Sequence, residues 1–362
     1  MELFTRPAAV IPAYPLRNLG DPDRFLFLDI ETTGLSPASA QIYLIGALTH
    51  TEPMGWVLRQ WFADSLSAEE EMLRSFFEFA APYRTLVHYN GDSFDIPFLI
   101  RCAGQYGIER PFGGASSLDL YRAVRPFRKV LGSGRLNQKS MERLLGIERM
   151  DRMNGGELIE VYNTWLRTRE TALKQQFLLH NEEDVTNLLT LLSLLSYRDF
   201  FLGDFTLKSA SAENAALTAR FESRTRIPAA SGGTFGGVRL DAEENTLQLI
   251  VPLFTGTLFH FFENYRDYYY LPLENRAIHK SLAEFVDKSA KERATARNAC
   301  VPKEGTFLPL AGSAPEGVPV FQAEFRGAVK YAELSGDLLT ARFLLPYLYE
   351  VLRLAGLRGQ LP

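Results

Sequence analysis

Cysteine is nearly missing from this chain of 362 residues: Cys102 and Cys300 stand alone, without the paired spacing of a zinc site. Two isolated thiols exclude a disulfide scaffold and fit a reduced, intracellular setting, so a cytoplasmic location is expected. No apolar run approaches a transmembrane span, and residues 1–20 hold three prolines and no apolar core of signal-peptide length. A surplus of positive charge is lacking too. Against 39 lysines and arginines stand 43 acids, giving a formal net charge of -4 and a pI near 5.9. No internal repeat is present. Hydrophobic residues make up 46% of the chain, enough to bury one or two substantial cores.

The most telling segment is Phe25-Leu26-Phe27-Leu28-Asp29-Ile30-Glu31-Thr32-Thr33-Gly34-Leu35. An apolar run that reads as a buried strand ends in two carboxylates one residue apart. Side chains at i and i+2 of a strand share a face, so Asp29 and Glu31 sit side by side. Their repulsion is costly unless cations neutralise them, and hard divalent cations prefer oxygen ligands. The alternative is a solvated strand-to-turn junction.

Two later segments bear on that choice. In His88-Tyr89-Asn90-Gly91-Asp92-Ser93-Phe94-Asp95 a β-rich stretch passes into a helical pattern. Asp95 falls in the first helical turn, where acids are favoured by the helix dipole, and it either tunes that terminus or joins a site at the strand end. In Leu178-Leu179-His180-Asn181-Glu182-Glu183-Asp184, His180 and Asp184 are i and i+4 and share a helix face. They are either a core hydrogen-bonded pair or part of the same site. Glu182 and Glu183 fall on other faces and are expected to be solvated. Asp119 reads as a strand-end or helix-capping acid rather than a metal ligand.

Together the three segments resemble the three motifs of the DEDD exonuclease superfamily, in order and spacing. The second has the form found in family B DNA polymerase proofreading domains. Residues 136–149, then Gly155-Gly156-Glu157-Leu158 and Tyr162, resemble the bacterial YprB-type ribonuclease-H-like exonuclease domain. The resemblance covers residues 20–200. It implies hydrolysis of nucleic acid from a 3′ end, with DNA favoured over RNA, assisted by two divalent ions, Mg2+ or Mn2+. Asp29, Glu31, Asp95 and Asp184 are the implied ligands and His180 the implied base. Thr32, Leu35, Asn90 and Phe94 are the implied substrate contacts. One departure stands out: His180 and Asp184 are four residues apart, the spacing of the superfamily's tyrosine subgroup with His in the tyrosine's place. An enzyme that grips a few terminal nucleotides through metals needs no strongly basic surface, so the net charge is compatible. The implied partner is nucleic acid, single-stranded or at a 3′ end, with a helicase or repair factor as a further candidate and no membrane.

The expected architecture is α/β: a ribonuclease-H-like mixed sheet flanked by helices, followed by a smaller β-rich C-terminal region with a terminal helix. Strands are expected at 25–29, 41–48, 55–62 and 85–89, and helices at 67–81, 94–107, 137–146, 155–168 and 171–196. Residues 201–237 read as a connecting segment and 238–362 as the accessory domain, with a turn at Glu243-Glu244-Asn245 and a helix at 337–355 containing Pro346. Within this domain Tyr265, Tyr268, Tyr269 and Tyr270, with Lys280, Lys288, Lys291, Arg293, Arg297 and Lys303, either follow a phosphate backbone or are core tyrosines beside surface charge. The rival function is a non-catalytic nucleic-acid-binding or assembly scaffold acting through that domain.

Overall fold

The computed structural model describes residues 1–109 and 111–359. The chain divides into two compact units, one built from residues 1–128, 132–199 and 227–229, the other from 129–131, 200–226 and the residues from 230 onward.

In the first unit six strands form one sheet: β1 (Glu2–Pro7), β2 (Phe25–Thr32), β3 (Ile42–Thr51), β4 (Gly55–Phe62), β5 (Thr85–His88) and β6 (Ser116–Asp119). Their order is β1-β4-β3-β2-β5-β6. The first four pair antiparallel, while β5 runs parallel to β2 and β6 parallel to β5. This is the ribonuclease-H-like mixed sheet, with β2 near its middle and covered on both faces, which explains a strand whose first four residues and Ile30 are all apolar. Helices α1 (Glu69–Ala80), α2 (Asp95–Gln105), α3 (Leu120–Val124), α4 (Arg128–Leu131), α5 (Gln138–Leu144), α6 (Gly155–Thr168) and α7 (Thr171–Leu191) follow in order.

The alternation along β2 decides what its acids face. Leu26, Leu28 and Ile30 enter a core shared with Met72 and Phe76 of α1 and Phe98 and Leu99 of α2. Asp29 and Glu31 therefore project to the opposite face. On that face a second core joins Tyr43 and Phe62 of the sheet to Tyr162 of α6 and Phe177 of α7. Tyr43 and Tyr162 stack with ring centroids 3.9 Å apart. Each such fully buried aromatic contributes roughly 1.5–3 kcal/mol over an exposed one, which anchors α7 across the sheet.

Close approach of α7 depends on Gly46, the partner of Asp29 in the β2–β3 register. A Cβ there would overlap Asn181 Oδ1 and lie 2.8 Å from Val185 Cγ2.

The second unit follows α8 (Leu195–Leu202) and begins with β7 (Phe205–Glu213), β8 (Ala216–Ser223) and β9 (Ser231–Phe235). With β10 (Val238–Glu243) and β11 (Thr246–Pro252) these make an antiparallel sheet in the order β7-β8-β11-β10-β9. Residues 201–237 are thus not a connecting segment. The glycine-rich run is itself an edge strand, where a side chain on Gly232 would meet the Leu240 carbonyl oxygen at 2.7 Å. The expected turn is present, with Glu244 at φ 53°.

Further on, β12 (Phe254–Phe261), β13 (Tyr268–Leu271), β14 (Arg276–His279), α9 (Lys280–Ala283), β15 (Glu292–Arg293), β16 (Cys300–Pro309), β17 (Val320–Phe321) and β18 (Tyr331–Glu333) form a four-stranded and a three-stranded sheet. The terminal helix α10 (Ala341–Leu354) contains Pro346. Tyr268 stacks on Phe262 at 4.2 Å, Lys303 pairs with Glu333 at 2.6 Å, and Lys291 Nζ donates to the carbonyl oxygens of Ala283 and Val286 while lying over the Tyr269 ring. These tyrosines and lysines serve their own domain. No described helix is long and apolar enough to cross a membrane.

Candidate metal centre

Three elements bring the predicted acids together. β2 supplies Asp29 and Glu31, the start of α2 supplies Asp95, and α7 supplies His180 and Asp184. The parallel strands β2 and β5 end at this point, the edge of an open α/β sheet where ligands ordinarily bind.

Asp95 is 7% exposed, and its Oδ1 accepts from Ile30 N at 3.2 Å, so the first turn of α2 is tied to the β2 backbone between the other two acids. Asn181 does the equivalent for α7. Its Nδ2 donates to Asp29 Oδ2 at 3.1 Å, while its Oδ1 accepts from Gln60 Nε2 at 3.0 Å. His180 is ringed by carboxylates: Nε2 lies 3.0 Å from Asp184 Oδ2 and 3.7 Å from Glu31 Oε1, and Nδ1 lies 2.8 Å from Asp151 Oδ2.

The electrostatics separate these acids into two kinds. Burial, with the neighbouring charges of Asp184, Asp95 and Glu31, holds the Asp29 carboxyl well above its usual range. Burial likewise pushes Glu31 up to about 8 and Asp95 up to about 7. Asp184 behaves oppositely. Burial raises it, but hydrogen bonding and charge from His180 and Arg149 outweigh that and hold it low. For His180, burial pulls the imidazole down and Asp184, Glu31 and Asp151 together raise it. Three acids are held above their ordinary range, chiefly by burial, and one is held low by its partners.

The donor set fits hard divalent cations. A carboxylate offers about four lone-pair directions. Asp184 uses three, accepting from Arg149 Nη2 at 2.5 Å and Gln138 Nε2 at 3.3 Å on Oδ1 and facing His180 on Oδ2. Asp29 spends one on Asn181, and no hydrogen bond to a Glu31 carboxylate oxygen is present among the described residues. The acids with most free oxygen capacity are those whose charge is least compensated. Glu31, His180 and Asp184 also place ligand atoms within 4.8 Å of one another.

Several site residues escape the sequence pattern. Arg149, 7% exposed along its side chain, also approaches Glu183 at 3.3 Å and Glu142 at 3.6 Å. Its neighbour Asp151 meets Lys139 at 2.8 Å as well as His180. The spacing Arg149-x-Asp151, two charges entering one buried place from an extended stretch, was the available signal. Glu183 is not solvated as expected; it accepts from Met150 N and Asp151 N and so fixes this stretch against α7. Glu182 pairs with Arg6.

The expected substrate contacts are dispersed around the centre. Thr32 is buried and donates to Gly34 O at 2.8 Å, closing the turn after β2. Leu35 is 81% exposed beyond that turn. Phe94 packs on Phe98 and is half-buried. Asn90 is exposed at φ 62°, a left-handed conformation that Asn tolerates better than most residues.

Asp119 is the cap it was expected to be: Oδ1 accepts from Tyr121 N at 2.9 Å and Arg122 N at 3.3 Å, and it also accepts from Asn90 N at 2.9 Å. His88, Asp92 and Asp119 form a second cluster of potential ligand atoms. Its groups are committed internally, with His88 Nδ1 accepting from Gly91 N and Asp92 pairing with Arg122.

Over residues 26–196 the chain matches a family model of the RNase_H superfamily, RNase_H_2. No curated protein matches it by sequence. Solved structures similar to it include the apo form of a nuclease, at 18% identity over 51% of this chain and 78% of that one, with a TM-score of 0.31. Brucella melitensis NrnC bound to pGG is 16% identical over 49% of this chain and 73% of its own, with a TM-score of 0.30. E. coli Exonuclease I in complex with an oligonucleotide is 16% identical, with a TM-score of 0.23; the match spans 29% of this chain and 30% of the exonuclease.

Proposed function

We propose that this chain is a metal-dependent 3′–5′ exonuclease of the DEDD type, with a YprB-type domain, acting on nucleic acid with DNA favoured over RNA. The observation that supports this most is the convergence of Asp29, Glu31 and Asp95 around Ile30, with carboxyls driven up first by burial and then by neighbouring acids, Asp184 foremost. A structural ion-pair network would have supplied a cation to each; here Arg149 reaches Asp184 alone among the four. Asp29, Glu31, Asp95 and Asp184 would hold the ions. Bound there, Mg2+ or Mn2+ would make water nucleophilic at neutral pH and offset charge on the departing 3′ oxygen.

His180 supplies the proton acceptor. In this reading the imidazole takes the proton of the attacking water on the side of Glu31 and Asp184, which its Nε2 faces. The Asp151 charge 2.8 Å from Nδ1 helps to raise the imidazole's affinity for that proton. Thr32, Leu35 and Phe94 lie around the terminal nucleotide in this reading.

A degradation assay tests the whole proposal. Single-stranded DNA and RNA, labelled at either end, are incubated with Mg2+, with Mn2+ or with chelator. Stepwise shortening from the 3′ end, lost with chelator and in Asp29→Asn, is expected. Intact substrate under every metal condition overturns it and leaves a binding or assembly scaffold.

A further inference from the structure

Charge is distributed unevenly in this acidic chain. Between residues 120 and 143 there are seven lysines and arginines and a single acid, Glu142. Some of these cations are spoken for: Arg122 pairs with Asp92 and Lys139 with Asp151. Arg125, Arg128 and Arg135 are exposed and make no ion pair among the described residues. Among the described residues the Arg128 guanidinium bonds only a carbonyl, Gly134 O at 3.1 Å.

Arg128 and Arg135 line one cleft of about 520 Å³, together with Tyr89, Tyr121, Asn90 and Gln138, and no carboxylate lines it. Tyr89 and Tyr121 meet edge to face with centroids 6.2 Å apart, both half-buried, and the Tyr89 hydroxyl donates to Leu136 O. Of its lining residues, Gln138 donates to Asp184 O at 2.9 Å and to Asp184 Oδ1. Through Gln138 the cleft adjoins the candidate metal centre.

We infer that this cleft holds the strand of a single-stranded nucleic acid next to the scissile phosphate. Arg128 and Arg135 grip successive phosphates, and Tyr89 and Tyr121 give the bases an aromatic wall. Guanidiniums without carboxylate partners suit phosphate oxygens, which they contact in bidentate fashion. Aromatic side chains beside such cations are the usual platform for unpaired bases. Its volume lies in the range of roughly 300–1,000 Å³ typical of ligand pockets, which suits splayed nucleotides better than a duplex. The inference rests on the nucleic-acid reading of the metal centre, and it locates the strand grip here instead of on the lysines of the second unit.

The test measures binding of a fluorescent oligothymidylate of about twelve nucleotides by anisotropy, over a series of salt concentrations, with Ca2+ in place of the catalytic ion. Arg128→Gln with Arg135→Gln should weaken affinity about tenfold or more. It should also reduce the slope of log affinity against log salt by about 1.4, two contacts at roughly 0.7 each. The pair Arg128→Lys with Arg135→Lys keeps charge and should keep most of the slope, which guards against misfolding as the cause. Lys288→Gln with Lys291→Gln and Arg293→Gln should bind as wild type. Equal slopes for wild type and the arginine-to-glutamine pair overturn the inference. Parallel cleavage of the unlabelled strand by wild type with Mn2+ keeps the two proposals apart. Binding that needs the arginines without cleavage sinks the exonuclease and leaves the cleft standing; cleavage with unaltered slopes does the reverse.

Discussion

Arg149 Nη2 lies 2.5 Å from Asp184 Oδ1, so a buried guanidinium compensates the last of the four acids while the other three stand without one. The two kinds of acid should respond differently to removal. Asp29→Ala relieves repulsion, and its metal-free melting temperature should stay level or rise. Asp184→Ala strips Arg149 of its shortest contact and should cost about 1–3 kcal/mol, because Glu142 and Glu183 remain nearby. Both should lose activity by several orders of magnitude. Equal melting temperatures for the two variants would count against this division.

Stability of the metal-free protein should depend on pH in an unusual sense. Glu31 titrates at about 8 and Asp95 at about 7 when folded, both above their ordinary carboxylate values. In that window the folded state holds more protons than the unfolded one, so stability falls as pH rises from about 5 to 8. The raised His180 pKa acts in the same direction. Melting curves in chelator should show the decline, and Glu31→Gln should flatten part of it. Parallel profiles for wild type and variant would refute the assignment.

His180→Ala should slow cleavage by roughly 10² to 10⁴ and abolish the inflection in the pH–rate profile that belongs to the imidazole. Asp151→Asn removes a negative charge 2.8 Å from Nδ1 and should move that inflection to lower pH while retaining it. A rate profile that keeps the same inflection in His180→Ala assigns the base elsewhere.

Gly46→Ala tests the seating of α7. The added methyl overlaps Asn181 Oδ1, so the helix must move away from the sheet and carry His180 and Asp184 with it. Overpacking of this kind costs about 1–3 kcal/mol. Melting temperature and turnover should fall together, and a fully active Gly46→Ala protein would show that the approach is not needed.

The central part of the first unit was legible because its signals are local. Apolar continuity marked β2, and helical spacing placed α6 at the expected residues. β1 was not legible: its residues pair with β4 along a sheet edge and only Glu2 and Phe4 among them are partly buried, too few to make an alternating pattern. β7 to β9 were missed for a related reason, since glycine and serine weaken strand propensity and only the partner β10 makes Ser231–Phe235 a strand. At the site, the four acids and His180 could be read from motif order. Arg149, Asp151 and Gln138 could not, because their role depends on where a loop returns to α7. Glu183 was misplaced by treating the outer helix face as solvent.

Asp119 accepts from Asn90 N, Asp92 N, Tyr121 N and Arg122 N with one side chain. The loop that delivers Asp95 and the stretch that forms one wall of the arginine-lined cleft therefore hang from the same peg. Substitutions in either should be non-additive with changes at Asp119. In an evolving lineage the two would have to drift together: neither the loop nor the wall can be transplanted as an independent module, and a chimera joined between residues 92 and 119 would have to bring both.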